Sequence, residues 1–422
     1  MSDNLDKTSV SRVVESGERE ATVLEHGSLR VMINDQGGMI PELSSIRGES
    51  RINAHWQPWF RSHSSRPYSD EEHGSFWKGI LLYHIAGNFP CAPNFGPGHV
   101  IDGITMPPHG WTAASKWKFI NNGIDGETGA AWALSSMKGP ENKMPLLFRK
   151  IDLVLPGQSV HYSSLEIENS GNADLEINCG WHNTVGAPFL APGCRISAGA
   201  KQWASAPRGG EFDTTARLKL STEFSSLGSV PLSRGGTADI SLAPPPIGYT
   251  DFVTGLIPES ARFGWSGLVN PALKLAYLCF FTGPKDAAED DIIIRFNHLW
   301  MQYGGRPFSP WAPYEGGTDL TYCLGTENAV SAYCYGLEYS RQIKQVMGAP
   351  VTTLIPAGKT RTLRYGTLFA PYDGNTLDEG IGSMEAEESL LICKGKSDSA
   401  RFSADMGFGV IKKIQSKLVD LH

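Results

Sequence analysis

Apolar residues along this chain fall in short alternating or β-branched runs, broken every eight to twelve residues by Gly, Pro, Asn or Asp. Residues 20–47 give early strands around a Gly37-Gly38 turn. From Lys116 to about Val253 the runs KWKFI, AAWALSSM, LLFRKIDLVL, VHYSSLEIEN and LEINCGWHN follow one another. They resume with KLAYLCFFTG, DIIIRFNHLWMQYG, TYCLGTENAVSAY and TRTLRYGTLFAPY. This spacing predicts a mainly β protein of antiparallel sheets, a sandwich or barrel, with a few peripheral helices. Helical patterning is confined to three places. A capping box from Ser69 to Glu72 leads into a helix through Phe76-Trp77 and Ile80–Tyr83 that ends at Gly87, Leu377–Leu391 is Glu-rich with spaced apolar residues, and a last amphipathic segment spans about Val410 to Leu421. Residues 52–68 read as a loop beside a cleft, and 205–250 as surface excursions. The chain thus divides into a polar tail that is loose or adds a strand (1–19), one β domain (20–372) and a helical extension packed on it (373–422).

Bulk properties narrow the function. Of 422 residues 41% are hydrophobic, enough for a large core. A net charge of -7 argues against nucleic-acid binding, which needs a basic face. No run of eighteen apolar residues appears, so no membrane span is expected, and the polar first twenty residues lack a signal-peptide core. The seven cysteines (91, 179, 194, 279, 323, 334, 393) form no CxxC pair. They read as reduced thiols of a cytoplasmic protein, with no ligand spacing for a metal and no cofactor motif. GKT at Gly358 and GKS at Gly395 lack the earlier glycine of a phosphate loop, Gly264-Trp265-Ser266-Gly267 falls one residue short of a nucleophile elbow, and neither HExxH nor GxGxxG occurs.

Three positions combine a chemically able residue with a braced setting. His109 sits in MPPHGWTAASKW (Met106–Trp117), between prolines and Gly110 with Trp111 and Trp117 nearby. His182 lies in CGWHNTVGAPF at the end of a strand, and Glu327 in YCLGTENAVSAY, an apolar strand where a carboxylate is costly to bury unless it is paired or functional. Two histidines and a glutamate make a competent acid–base set. Each also has a structural reading, the histidines as hydrogen-bonded turn residues and Glu327 as a cap on backbone amides.

The run GNFPCAPNFG (87–96), then MPPHGW with Trp117, the WHN segment, the glutamate-bearing strand and LIPAGKTRTLRYGTLF resemble, in order and approximate spacing, the aldose 1-epimerase (mutarotase-like) superfamily. The likeness is nearest to its hexose-phosphate epimerase-like branch and covers about residues 20–372. It implies an antiparallel β-supersandwich with a carbohydrate site in a cleft. Glu327 would take the anomeric proton, His182 would protonate the ring oxygen, and His109 would hydrogen-bond the sugar. Asn88, Trp111, Trp117, Trp181 and Asn183 are candidate substrate contacts, and Arg149, His298, Trp300 and Gln302 lie on strands that could line the cleft. Asp319, with Glu315 beside it, is the candidate for the family's substrate-binding aspartate. Ala86 and Ala113 stand where the phosphate-sugar branch carries arginines, which makes a sugar phosphate a poor expected substrate. The expectation is a cofactor-independent epimerase of a neutral or acidic sugar. A carbohydrate-binding or sensing protein without turnover, or a lyase or isomerase on the same fold, is the alternative. A homodimer is compatible with the sequence.

Overall fold

The computed structural model describes residues 7–15, 19–63, 68–77, 79–140, 142–208, 216–312, 321–387 and 389–418. It is 48% strand and 10% helix. Two large antiparallel sheets face each other. The eight-stranded sheet runs in the order Arg195–Ala198, Phe263–Asn270, Leu275–Thr282, Thr360–Pro371, Val160–Asn169, Leu146–Val154, Ala131–Lys138, Lys118–Ile124. The seven-stranded sheet runs Glu223–Phe224, Gln202–Ser205, Tyr249–Leu256, Phe296–Tyr303, Tyr322–Val330, Cys179–Gly186, Asn88–Cys91. A five-stranded sheet built from Ser9–Glu15, Arg19–His26, Leu29–Asn34, Glu42–Arg47 and Ser50–Asn53 shares their core, so the amino-terminal tail does add a strand.

Side chains from the inner faces of the two large sheets fill one continuous core that includes Phe148, Leu165, Trp181, Tyr277, Leu299 and Tyr365. Burying each such side chain contributes roughly 1.5–3 kcal/mol, which makes this layer the main source of stability. Several polar groups inside it hydrogen-bond to one another. The Tyr277 hydroxyl donates to Asn183 Oδ1 (2.5 Å), Asn183 Nδ2 donates to the Tyr365 hydroxyl (3.0 Å), Tyr365 donates to Asn328 Oδ1, and Asn328 Nδ2 donates to Ser266 Oγ (3.1 Å). Deeper still, Lys150 Nζ lies 2.5 Å from Asp152 Oδ2, while His161 Nε2 (3.0 Å) and Ser163 Oγ (2.9 Å) reach Oδ1. Burial pushes Asp152 up, but Lys150 and His161 outweigh it and hold the carboxyl at about 2.

The outer face of the eight-stranded sheet is covered by the carboxy-terminal segment, which differs from its expected helical form. Leu377–Leu391 holds the strand Ser383–Glu387, and this joins Leu390–Lys394 and Ser399–Ser403 in a three-stranded sheet before the helix Gly409–Lys417. The physical reason is periodicity. Met384 is buried while Glu385 and Glu387 point to solvent, a period of two that overrides helix-favouring composition. Met384, Leu391, Phe402, Ile411 and Ile414 close a second core over Leu134, Tyr162 and Phe280. The helix expected from Ser69 to Gly87 is two, Asp70–Trp77 and Ile80–His84, parted at Gly79, whose φ of 136° no L-residue adopts readily. Among the described residues no helix is long and apolar enough to cross a membrane.

Candidate active site

Two neighbouring strands of the seven-stranded sheet, Tyr322–Val330 and Cys179–Gly186, set the chemistry. In their antiparallel register Trp181 faces Asn328 and Thr184 faces Gly325, which puts His182 beside Glu327. Because successive side chains alternate, Asn183 and Asn328 point into the core and His182 and Glu327 point the other way. On that side lies a cavity of about 710 Å³. Phe252, Trp300, His182 and Glu327 line it from the sheet. Leu81 of the Ile80–His84 helix and Ile85 just after it, Pro107–His109, and Ala206 with Leu218 supply walls.

His182 Nε2 stands 3.2 Å from Glu327 Oε1. The imidazole lies flat on Phe89, centroids 4.6 Å apart and planes 10° apart, and its Nδ1 is 3.1 Å from Thr184 Oγ1. Both side chains are almost wholly buried, yet Glu327 Oε2 has no hydrogen-bond partner among the described residues. An orphaned carboxylate oxygen opening on a cavity is a group waiting for a ligand. Gly325 makes room for it, since a Cβ there would sit 3.0 Å from Oε1. Burial pushes the Glu327 carboxyl up to about 8. Burial, with the nearby His109 and Arg306, pushes His182 well below its ordinary 6.5. At neutral pH the pair therefore holds one proton and no net charge, with the carboxyl donating to Nε2.

His109 completes the group. Its ring stands edge-on to His182, 4.7 Å between centroids and 89° between planes. The backbone holds it in a left-handed conformation (φ 57°) at the start of the helix Gly110–Ala114, with its N–H donating to Gly96 O at 2.8 Å. Non-glycine residues visit that region rarely, and at functional sites more than elsewhere. The glycine after it is obligatory. Gly110 has φ 76°, and a Cβ there would lie 2.3 Å from Ala92 O. Burial lowers His109 to about 4, so it too is a neutral hydrogen-bonding ring at pH 7.

Of the other expected contacts that lie among the described residues, Trp300 alone lines the cavity. Trp111, Trp117 and Trp181 are corrected to core residues. Trp117 Nε1 donates to Thr112 O (2.9 Å) and Trp181 packs on Tyr365. Asn183 belongs to the polar layer between the sheets, and Asn88 is buried opposite it in the ladder. Arg149 lies under the carboxy-terminal helix, donating to Leu418 O (3.0 Å) and 3.5 Å from Glu166. His298 is opposite Glu327 on the neighbouring strand, but its ring nitrogens meet Thr254 Oγ1 (2.9 Å) and Ser331 Oγ (3.0 Å), and Phe95 and Phe252 pack against its ring. Gln302 Oε1 accepts from Thr250 Oγ1 and Gly305 N, both at 2.9 Å. Asp319 and Glu315 fall outside the described residues. Missed from the sequence were Phe89, Phe252, Trp311 and Arg306. Only Arg306 carried a signal, a cation set between Gly304-Gly305 and Pro307 at the end of a strand.

No family model matches the sequence, and no curated protein matches it. Solved structures do. A candidate aldose 1-epimerase from Klebsiella pneumoniae superposes with a TM-score of 0.61 at 13% identity, over 86% of this chain and 83% of that one. A galactose mutarotase-like protein from Clostridium acetobutylicum gives 0.54 at 11% identity, over 86% and 99%. A candidate mutarotase from Salmonella typhimurium gives 0.52 at 13% identity, over 86% and 94%. The chain has the galactose mutarotase-like fold.

Proposed function

We propose that this protein is a cofactor-independent mutarotase of the aldose 1-epimerase type. The observation that carries the reading is the His182–Glu327 pair, 3.2 Å apart at the wall of a sugar-sized cavity with one carboxylate oxygen unpartnered. Opening a pyranose ring requires a proton on the ring oxygen and loss of one from the anomeric hydroxyl, and both oxygens are bonded to the same carbon. A donor and an acceptor held side by side match that demand. With its pKa near 8, Glu327 holds the proton at neutral pH and gives it to the ring oxygen, while neutral His182 accepts from the anomeric hydroxyl. The C1–O5 bond breaks as the carbonyl forms, the C1–C2 bond rotates, and reclosure on the other face returns both protons. Closure runs the transfers backwards, so Glu327 acts as base in one half of the cycle and as acid in the other. In both halves Glu327 serves the ring oxygen and His182 the anomeric oxygen, the reverse of the sites implied by the family resemblance, because burial leaves the proton on Glu327 and His182 neutral. His109, neutral and edge-on to His182, hydrogen-bonds the sugar and steadies charge during transfer.

NMR exchange spectroscopy over a set of reducing sugars tests the reading. Anomer exchange accelerated by the protein supports it. Binding with no acceleration for any sugar bound would make the cleft a receptor site, and a product of changed constitution would make the protein a lyase or a ketone–aldehyde isomerase.

A further inference from the structure

The polar layer between the two large sheets is not used by proton transfer itself, yet it touches both strands that carry the reacting pair. The ladder between those strands sets Cys179, Gly180 and Trp181 against Val330, Ala329 and Asn328, then Thr184, Val185 and Gly186 against Gly325, Leu324 and Cys323. The two positions between, His182 against Glu327 and Asn183 against Thr326, interrupt that register. The interruption falls at the level where the 3.2 Å contact of His182 with Glu327 has to be kept.

On the core side the same level is spanned by side chains. Asn183 follows His182 and Asn328 follows Glu327, so both amides point away from the cavity. Asn183 Nδ2 donates to the Tyr365 hydroxyl at 3.0 Å, and that hydroxyl donates to Asn328 Oδ1. A single phenol oxygen thus ties together the two residues that neighbour the proton-transfer pair. It is anchored from outside their sheet, because Tyr365 belongs to Thr360–Pro371, an interior strand of the eight-stranded sheet. Its buried ring lies parallel to Phe281, 6.0 Å between centroids, and packs on Trp181 at 5.4 Å. The far ends of the amides are held as well. Asn183 Oδ1 accepts from Tyr277 (2.5 Å), and Asn328 Nδ2 donates to Ser266 Oγ (3.1 Å). Neither amide can turn over without breaking one of these bonds. Burial, and then Cys279 and Tyr277, pushes the Tyr365 phenol well above its ordinary value, so the bridging proton stays in place through neutral and mildly alkaline pH.

We propose that Tyr365 is a positioning residue for the His182–Glu327 pair: by bridging Asn183 and Asn328 from the opposite sheet, it fixes the two strands where their ladder is interrupted. This rests on the mutarotase reading of the site. Peptide units are stiff and consecutive Cα atoms are about 3.8 Å apart, so a shift of either asparagine is passed to the side chain next to it on the other face. Proton transfer is steeply sensitive to such shifts, a displacement of about 1 Å costing about a hundredfold in rate. Tyr365 lies between the sheets, on the side of Asn183 and Asn328 away from the cavity, so its loss spares sugar binding.

Tyr365→Phe deletes the bridging oxygen and keeps the ring. The control is Tyr162→Phe, which removes a buried hydroxyl from the second core. Both are made in the full chain and checked by melting curves. Anomer exchange by NMR should show kcat lowered about tenfold or more in Tyr365→Phe, with KM within about twofold of wild type. The alkaline limb near pH 8 should move to lower pH, because a carboxyl that no longer donates to Nε2 ionises more readily. The ring 15N resonances of His182 should shift in Tyr365→Phe and stay in place in Tyr162→Phe, which reads the geometry without turnover. A folded Tyr365→Phe with kcat within about threefold of wild type, or with unmoved His182 resonances, overturns the proposal, and so does an equal loss of kcat in Tyr162→Phe. If Tyr365→Phe does not fold, Ser266→Ala, which frees the far end of the Asn328 amide, takes its place. It should lower kcat by at least about threefold and move the His182 resonances, and failure of either overturns the proposal. If the protein epimerises no sugar, the mutarotase reading fails and the resonances decide the bridge by themselves, moved in its favour and unmoved against it.

Discussion

His182 Nε2 and Glu327 Oε1 meet at 3.2 Å across adjacent antiparallel strands, both buried, and both shifted by that burial toward their neutral forms. The two groups share one proton over a window bounded above by the Glu327 value of about 8. Protein-catalysed anomer exchange should accordingly be level near pH 7 and fall along a one-proton limb above pH 8, when the proton owed to the ring oxygen is gone. The rate must be corrected for uncatalysed, base-promoted exchange. A catalysed rate that keeps rising through pH 9 would contradict this protonation state.

The same burial has a stability consequence. A carboxyl raised to about 8 in the fold but near 4.5 when unfolded stays protonated natively while the unfolded chain ionises. Its contribution to stability is therefore lost as pH rises from 4.5 to 8. Glu327→Gln, which cannot ionise, should gain on the wild-type protein by a few kcal/mol in urea unfolding between pH 5 and pH 8. An unchanged difference between the two pH values would place the carboxyl outside this account.

Buried histidines act in the opposite direction. His55 and His298 are pushed to about 3 by burial, His84 to about 3 by burial and then by Arg19 and Arg61, and His109 to about 4 by burial. Below pH 6.5 the unfolded chain takes up protons that these native rings refuse, so stability falls as pH falls. Each ring costs about 1.4 kcal/mol per pH unit, or about 2 kcal/mol at pH 5. His298→Gln should shrink the loss between pH 7 and pH 5 by about that amount, whatever it does to stability at pH 7. Equal losses in variant and parent would show that His298 is protonated in the native state.

Lys150 and Asp152 form a charge pair in the interior, with side-chain exposures of 0% and 2%. Lys150→Met leaves Asp152 without its nearest cation and should cost about 3–5 kcal/mol, whereas Lys150→Met with Asp152→Leu should recover most of the loss. Thermal or urea unfolding of the three proteins reads this directly. A double variant as unstable as the single one would mean that the pair contributes more than mutual neutralisation.

The strand-rich fold was legible because alternation and turn residues mark most strands, and the ordered motifs around His109, His182 and Glu327 identified residues that do converge. Other readings failed for physical reasons. All eight residues of Cys179–Gly186 are buried, so hydrophobicity does not reveal which parity faces the cleft. Trp181, His182 and Asn183 could not all line it, because neighbours on a strand point to opposite faces. Met384 and Glu385 alternate within a segment whose composition favours helix. Arg306 shows its place beside the site only once Trp300, Trp311 and His182 are brought together by three separate segments.

The central claim is that His182 and Glu327 move protons as one unit, and anomer exchange by NMR on a turned-over sugar tests it most directly. Glu327→Gln and His182→Asn should each slow catalysed exchange by about a hundredfold or more while the sugar still binds, and the double variant should be little worse than either single one. Exchange retained within about threefold in either single variant would contradict the account, because general acid–base catalysis by this pair is assigned a far larger share of the rate.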